Sequence, residues 1–245
     1  MDRRSRLLPE MGAHWMPKMG AFDYGARVHS AVQAAGSDID VTGGLAGIAL
    51  DLLAGKDYLY VDHAYFHRGW GNRNFRLIRR NQHLTHVLDR PDDRLKKFGV
   101  EIQPWRKDGR TVLVIPNSWA QMERFGEKEW LAQTLERLKR LTDRTVIVKR
   151  KKDGPFQEYL RDAWAVVTWG SVAGMEAALA GVPVFSTDRC PSWPVNAGPL
   201  EQIESPEYPE RHAWACSLAY ASWNLGELSL INLKDYNYAY RDDLP

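Results

Sequence analysis

AVVTWGSVAGMEAALAGVPVFSTD, residues 165–188, is the stretch on which the reading of the fold turns. Ala165–Trp169 is a short apolar run rich in valine, the pattern of a buried parallel strand. Gly170-Ser171 breaks the run. The Ser171 hydroxyl is suited to accept a bond from an orphan backbone N–H and so to cap a following helix. Residues Val172–Ala180 place small and apolar side chains at helical spacing. Gly181 suits the position just past a helix end, and Pro183 prevents continuation. Val182–Ser186 is a second apolar strand. The stretch therefore predicts a strand–loop–helix–strand unit of a doubly wound sheet, with a polar break at the carboxyl end of its first strand. Ligands bind at such ends in open α/β sheets.

The same alternation extends upstream. Thr111–Ile115 reads as a strand, followed by the polar loop Pro116-Asn117-Ser118. Glu127–Leu141 reads as a helix with Trp130, Thr134, Leu135 and Leu138 on one face, Thr145–Val148 as a strand and Phe156–Arg161 as a short helix. This order predicts a parallel sheet with helical crossovers. The first half repeats the order more weakly, with a helix over Ala26–Ala35, a strand at Ile39–Val41, a helix from Gly43 through Leu53 and a strand at Tyr58–Asp62. Leu84–Val100 is amphipathic and charged, and Gln103–Arg110 is polar enough for a linker. The expected fold is α/β with two Rossmann-like halves, the N-terminal one reduced. Residues 1–108 and 109–230 would form the two domains, followed by a tail, 231–245.

Three groups of residues carry candidate chemistry. Glu176 stands among alanines, glycine and methionine. There it gains from the helix dipole, or it accepts hydrogen bonds from ribose hydroxyls while nearby N–H groups hold a phosphate. Residues 137–152 carry eight basic residues against one acid, Asp143. Part of that run is a solvated helix face, but Lys149-Arg150-Lys151-Lys152 falls at a strand's carboxyl end, where cations can neutralise a diphosphate. The third group is DHAYFHRGWGNRNFRLIRRNQH, residues 62–83, with three histidines, five arginines and four aromatics. Arginines are seldom buried without partners, so the expectation is a long surface loop. Asp62 and His63 are candidates for a general base, against local capping and hydrogen bonding. Arg68, Arg76, Arg79 and Arg80 are suited to phosphates or acidic sugar groups.

A chain of 245 residues with 44% apolar and 26% charged residues reads as globular. A net charge of +2 argues against general capture of nucleic acid by charge alone. Ten tryptophans and ten tyrosines fit an aromatic core as well as a stacking surface. Cys190 and Cys216 make no disulfide framework, which fits free thiols and a cytoplasmic location. No apolar run is long enough for a spanning helix, and residues 1–12 lack an apolar stretch of signal-peptide length.

The pattern Ser171-x-x-Gly174-x-Glu176-Ala177-x-x-x-Gly181-x-Pro183-Val184 resembles the donor-nucleotide segment of two-domain (GT-B type) glycosyltransferases. It is most similar to that of capsule polysaccharide and Kdo-transferase-like enzymes. LAYASWNLGEL, residues 218–228, resembles a late helix of capsule-type and phage-encoded glycosyltransferase-like proteins, where a Trp-x-x-x-Glu pattern closes the second domain. The resemblance implies a nucleotide sugar as co-substrate, with no further cofactor, the acceptor side in residues 1–108, the donor nucleotide in 109–230 and the tail 231–245 returning to the first domain. Gly170, Ser171, Ala173 and Glu176 would lie at its ribose and phosphate, and Lys149 or Arg150 at its diphosphate. It implies an acceptor hydroxyl on a glycan, or on a hydroxylated base in DNA as in phage DNA modification. No Asp-x-Asp pair occurs in the setting that holds a divalent ion on such donors, so a metal-independent transfer is expected. A nucleotide- or nucleic-acid-binding module without turnover is the alternative.

Overall fold

The computed structural model describes residues 40–43, 58–67, 74–224, 226 and 227. The helix expected over 26–35, residues 44–53 of the helix expected from Gly43, Arg68 and the tail 231–245 lie outside the described residues, and Gly43 itself closes a strand. The chain is mixed α/β and divides into two units. Among the described residues one unit takes those up to 84, 90–98 and 216 onward, and the other takes 85–89 and 99–215. No helix among the described residues is long and apolar enough to cross a membrane.

The first unit holds a four-stranded sheet of β1 (Asp40–Gly43), β2 (Tyr58–His63), β3 (Asn74–Arg79) and β8 (Ser222–Asn224), in the order β1-β2-β3-β8. β1 and β2 are parallel, whereas β3 is antiparallel to both β2 and β8. One short helix, α1 (Asp93–Lys97), belongs to the same unit. Two expectations are corrected here. Residues 62–83 are not one surface loop, because β3 runs through them with Phe75, Arg76, Leu77 and Ile78 all buried. The argument from burial fails because β2 supplies a carboxylate, Asp62, directly opposite Arg76. The late helix whose pattern lies in residues 218–228 ends early. It spans only His212–Tyr220, after which Ser222–Asn224 pair with the free edge of β3, Trp223 opposite Phe75. Pairing a bare strand edge outweighs the weak helical preference of Ser-Trp-Asn.

The second unit is built on a wholly parallel sheet. Its strands are β4 (Thr111–Ile115), β5 (Thr145–Val148), β6 (Ala163–Thr168) and β7 (Val184–Ser186), in the order β5-β4-β6-β7. The intervening helices are α2 (Trp119–Arg124), α3 (Trp130–Leu141), α4 (Phe156–Leu160) and α5 (Val172–Leu179). The sequence reading has no counterpart for α2, which Ser118 caps by accepting from Gln121 N at 3.3 Å. β6 is buried at every residue, as a strand covered on both faces must be. Val112, Val114, Ala165, Val167 and Phe185 of the sheet pack with Leu138 of α3, Trp164, Ala197 and Ile203.

The unit edits one more expectation. Residues 103–110, read as a linker, are strapped to this unit. Gln103 N donates to Leu179 O at 2.9 Å and Arg106 N to Gly181 O at 2.7 Å. Gly181 has φ +80°, and a Cβ there would stand 2.1 Å from the Pro104 carbonyl oxygen, so only glycine fits. Arg211, buried against the Trp105 ring at 3.7 Å, donates to the carbonyls of Ala178 and Gln103 and locks the strap to the end of α5.

Candidate functional site at the carboxyl edge of the parallel sheet

In the order β5-β4-β6-β7 the chain first moves outward from β4 to β5 and then crosses back to β6 on the other side. The reversal opens a crevice between the carboxyl ends of β4 and β6. The two ends are tied together by side chains. Thr168 Oγ1 donates to Ile115 O at 2.8 Å, and Gly170 N donates to Asn117 Oδ1 at 3.1 Å. Asn117 therefore orients the turn that leads into α5.

Ser171 does what its position predicts. Its backbone is extended and its Oγ accepts from Ala173 N at 3.2 Å, so it caps α5. The cap occupies the Ala173 N–H. Ser171 N donates to Thr168 Oγ1 at 3.3 Å. Glu176 lies half-buried within α5, five residues after the cap. Gly174, on the buried side of this helix, permits a close approach by the loop after β7. A Cβ there would meet Ser192 Oγ at 2.8 Å, Thr168 Cγ2 at 3.0 Å and Cys190 Sγ at 3.2 Å.

That loop is a buried polar chain. Cys190 Sγ and Ser192 Oγ lie 3.0 Å apart, Ser192 Oγ donates to Ser186 Oγ at 3.2 Å, and Ser186 N donates to Asn196 Oδ1 at 2.7 Å. Burial pushes the Cys190 thiol up to about 11, so it is inert as a nucleophile at neutral pH.

The basic residues after β5 divide by role. Lys149 is only 5% exposed. Its ammonium donates to the Arg150 carbonyl at 2.7 Å and lies 5.1 Å from the Tyr159 ring centroid. Arg150, Lys151 and Lys152 are exposed, and Arg150 N donates to Asp153 Oδ2 at 2.6 Å, which fixes the turn. At the other flank, after β7, Arg189 lies over Phe125 and Trp169. Sequence reasoning did not single out Asn117, Phe125 or Arg189. The visible signals were the polar loop after β4 and the irregular loop after Asp188, but neither pattern says which side chain faces the crevice.

A depression of about 620 Å³ opens at the opposite, amino-terminal edge of the same sheet, lined by Arg110, Lys139, Arg140, Arg144 and Glu204 among others. Most of its cations are already matched: Arg144 with Glu204, Arg110 with Asp162 and Lys139 with Glu136. The carboxyl edge is the better candidate because, among the described residues, its exposed cations Arg150, Lys151, Lys152 and Arg189 form no ion pair.

In the first unit the two candidate bases and one candidate arginine form a single cluster. Arg76 donates to Asp62 Oδ2 at 2.8 Å, to the His63 carbonyl at 2.9 Å and to the Gln82 carbonyl at 3.0 Å. Tyr60 donates to Asp62 Oδ2 at 3.1 Å, and His63 N to Asp62 Oδ1 at 2.7 Å. Burial and the Asp62 carboxylate hold the Tyr60 phenol well above its ordinary range. Arg76 is thus built into the sheet and is not displayed for a ligand. Arg79 and Arg80 follow at the end of β3, half-buried, with Arg80 in the left-handed region at φ 59°.

A scan against protein-family models finds no match to this chain, and a search of curated proteins finds none either.

Proposed function

We propose that the chain is a nucleotide-sugar-dependent glycosyltransferase of the two-domain type, its second unit holding the donor nucleotide. The observation that carries this reading is the strand reversal between β4 and β6, with Asn117, Gly170 and the capped start of α5 at its carboxyl edge. Glu176 receives the ribose hydroxyls. The exposed cations after β5, Arg150 first, neutralise the diphosphate. Lys149 supports the turn from beneath through its bond to the Arg150 carbonyl.

The transfer breaks the bond between the sugar's anomeric carbon and the diphosphate oxygen, and forms one from that carbon to an acceptor hydroxyl oxygen. The electron pair of the broken bond leaves on the diphosphate, where cations stabilise the developing charge. The acceptor proton goes to His63 or Asp62. The acceptor is a hydroxyl on a glycan or on a hydroxylated DNA base, and no metal ion is required in this scheme. A binding module without turnover is favoured by one observation only: Arg76, Tyr60 and the His63 N–H already occupy the Asp62 carboxylate.

The test is a thermal-shift panel of UDP-, CMP-, GDP- and ADP-sugars, followed by nucleotide release with glycan and DNA acceptors. A donor at a hundred times its dissociation constant stabilises the fold by about 2.7 kcal/mol. Release from the parent and a loss of about 10²–10⁴-fold in His63→Ala support the transferase. Binding of a sugar nucleotide without release favours the binding module, and no binding at all overturns both.

A further inference from the structure

Arg189 lies against two aromatic rings at this edge. Its guanidinium carbon lies 4.9 Å from the Phe125 ring centroid and 5.5 Å from that of Trp169, and the two rings stand 5.2 Å apart at 42°. Its backbone is fixed as well. Arg189 N donates to Thr187 Oγ1 at 3.3 Å, and the Thr187 hydroxyl donates to the Trp169 carbonyl. The residue lies against the crevice, since a Cβ on Gly170 would stand 3.5 Å from the Arg189 carbonyl oxygen and 3.7 Å from its Cβ. Among the described residues no carboxylate, carbonyl or hydroxyl accepts from the guanidinium, and the side chain is exposed. The ring contacts spend none of the guanidinium's five N–H donors on an oxygen acceptor. Lys149 presents the opposite case, because its ammonium is buried and already donates to a carbonyl.

We propose that Arg189 reads the diphosphate of a nucleoside diphosphate, free or as the sugar nucleotide, by donating in-plane hydrogen bonds to its phosphate oxygens. This rests on the nucleotide reading of the same edge. A planar fork matches phosphate oxygens two at a time, and a side chain already ordered by Phe125 and Trp169 loses little freedom on binding. The class of ligand follows from the chemistry. The site presents an unmatched, bidentate cation beside a backbone turn whose own N–H groups are already bonded to Asn117 and Thr168.

The experiment is calorimetric titration of the full chain with UDP, GDP, CDP and ADP and with the parent nucleosides, in parent, Arg189→Gln and Arg189→Lys. In the parent at least one diphosphate binds more tightly than its nucleoside. Arg189→Gln weakens that diphosphate by about 10- to 100-fold and leaves the nucleoside unchanged. Arg189→Lys falls between, having the charge without the fork. Parent-like diphosphate affinity in Arg189→Gln overturns the role of Arg189 while the nucleotide reading stands. Equal weakening of nucleoside and diphosphate also overturns it, because the residue then only shapes the stack. A parent that binds none of the four diphosphates removes both readings. If circular dichroism shows that Arg189→Gln has lost its fold, Arg189→Lys decides by the same two ligands.

Discussion

Asp62 and Arg76 stand directly opposite one another on neighbouring antiparallel strands, with Arg76 Nη2 donating to Asp62 Oδ2 at 2.8 Å. Two residues that the sequence offered for separate tasks, a base and a phosphate ligand, are one ion pair. The side chain of Arg76 is 4% exposed and that of Asp62 22%, so the pair is shielded on one side and wet on the other. Removing one partner of such a pair costs far more than the pair contributes, because it strands a buried charge.

Asp62→Asn is therefore expected to destabilise the first unit by about 3–5 kcal/mol. Asp62→Asn combined with Arg76→Met recovers a large part of that loss. Urea unfolding of the parent, the single and the double variant measures both. A single variant as stable as the parent would show that the guanidinium needs no carboxylate opposite it, the carbonyls of His63 and Gln82 and the rings of Tyr60 and Tyr65 sufficing. For the same reason His63→Ala is the cleaner probe of catalysis, since the backbone carbonyl that Arg76 uses is retained.

Gly174→Ala is expected to cost about 1–3 kcal/mol, the range for overpacking a filled site. The new methyl meets Ser192 Oγ at 2.8 Å, and both that residue and Thr168 are held by hydrogen bonds. Ser192→Ala made in the Gly174→Ala background removes the nearest atom and recovers part of the loss. Denaturation midpoints of the four combinations give the coupling. Additive effects would show that the helix, not the loop, absorbs the methyl.

Glu227 ties the end of the described chain to α1. It accepts from Lys97 at 2.5 Å, from Arg94 at 3.2 Å and from Asn224 N at 3.0 Å. Although burial alone would raise its carboxyl, these bonds bring it down to about 2. A carboxylate depressed in the folded state contributes stability above its unfolded pKa, near 4.3, and loses it as pH falls toward the folded value. Glu227→Gln should therefore cost on the order of 2–3 kcal/mol at pH 7, toward the low end because Lys97 is exposed. The gap between parent and variant should close between about pH 5 and pH 2. Urea midpoints across that range test it. A gap that does not change with pH would remove the charge from the account.

Glu176→Gln keeps the size and helix propensity of the residue. If the carboxylate holds ribose hydroxyls, the variant binds the donor more weakly by about 10-fold, the value of one charge-assisted hydrogen bond. Its thermal midpoint stays close to the parent's. Titration with the sugar nucleotide identified in the panel measures the first, and unfolding the second. A variant that binds as the parent does removes Glu176 from the ribose site.

The second unit was legible in the sequence because its signals are local. Thr111–Ile115 and Thr145–Val148 fall where apolar runs predict them. Ser171 caps the helix it precedes, and Gly181 takes the left-handed conformation just past its end. A run of valines, a hydroxyl before a helix and a glycine after it each act within a turn or two of the chain. The features that only tertiary structure decided depend on distant partners. Arg76 enters a core because Asp62, fourteen residues away, lies opposite it across the sheet. Ser222–Asn224 becomes a strand because β3 leaves an edge open. Lys149 is withdrawn from solvent by the Tyr159 ring and a neighbouring carbonyl, while Arg189 is laid over Phe125 and Trp169. The sequence alone determined where cations gather along the chain. Which of them are consumed within the fold and which are left for a ligand is a matter of three-dimensional charge pairing, because a buried charge is tolerated only where a partner stands within hydrogen-bonding distance.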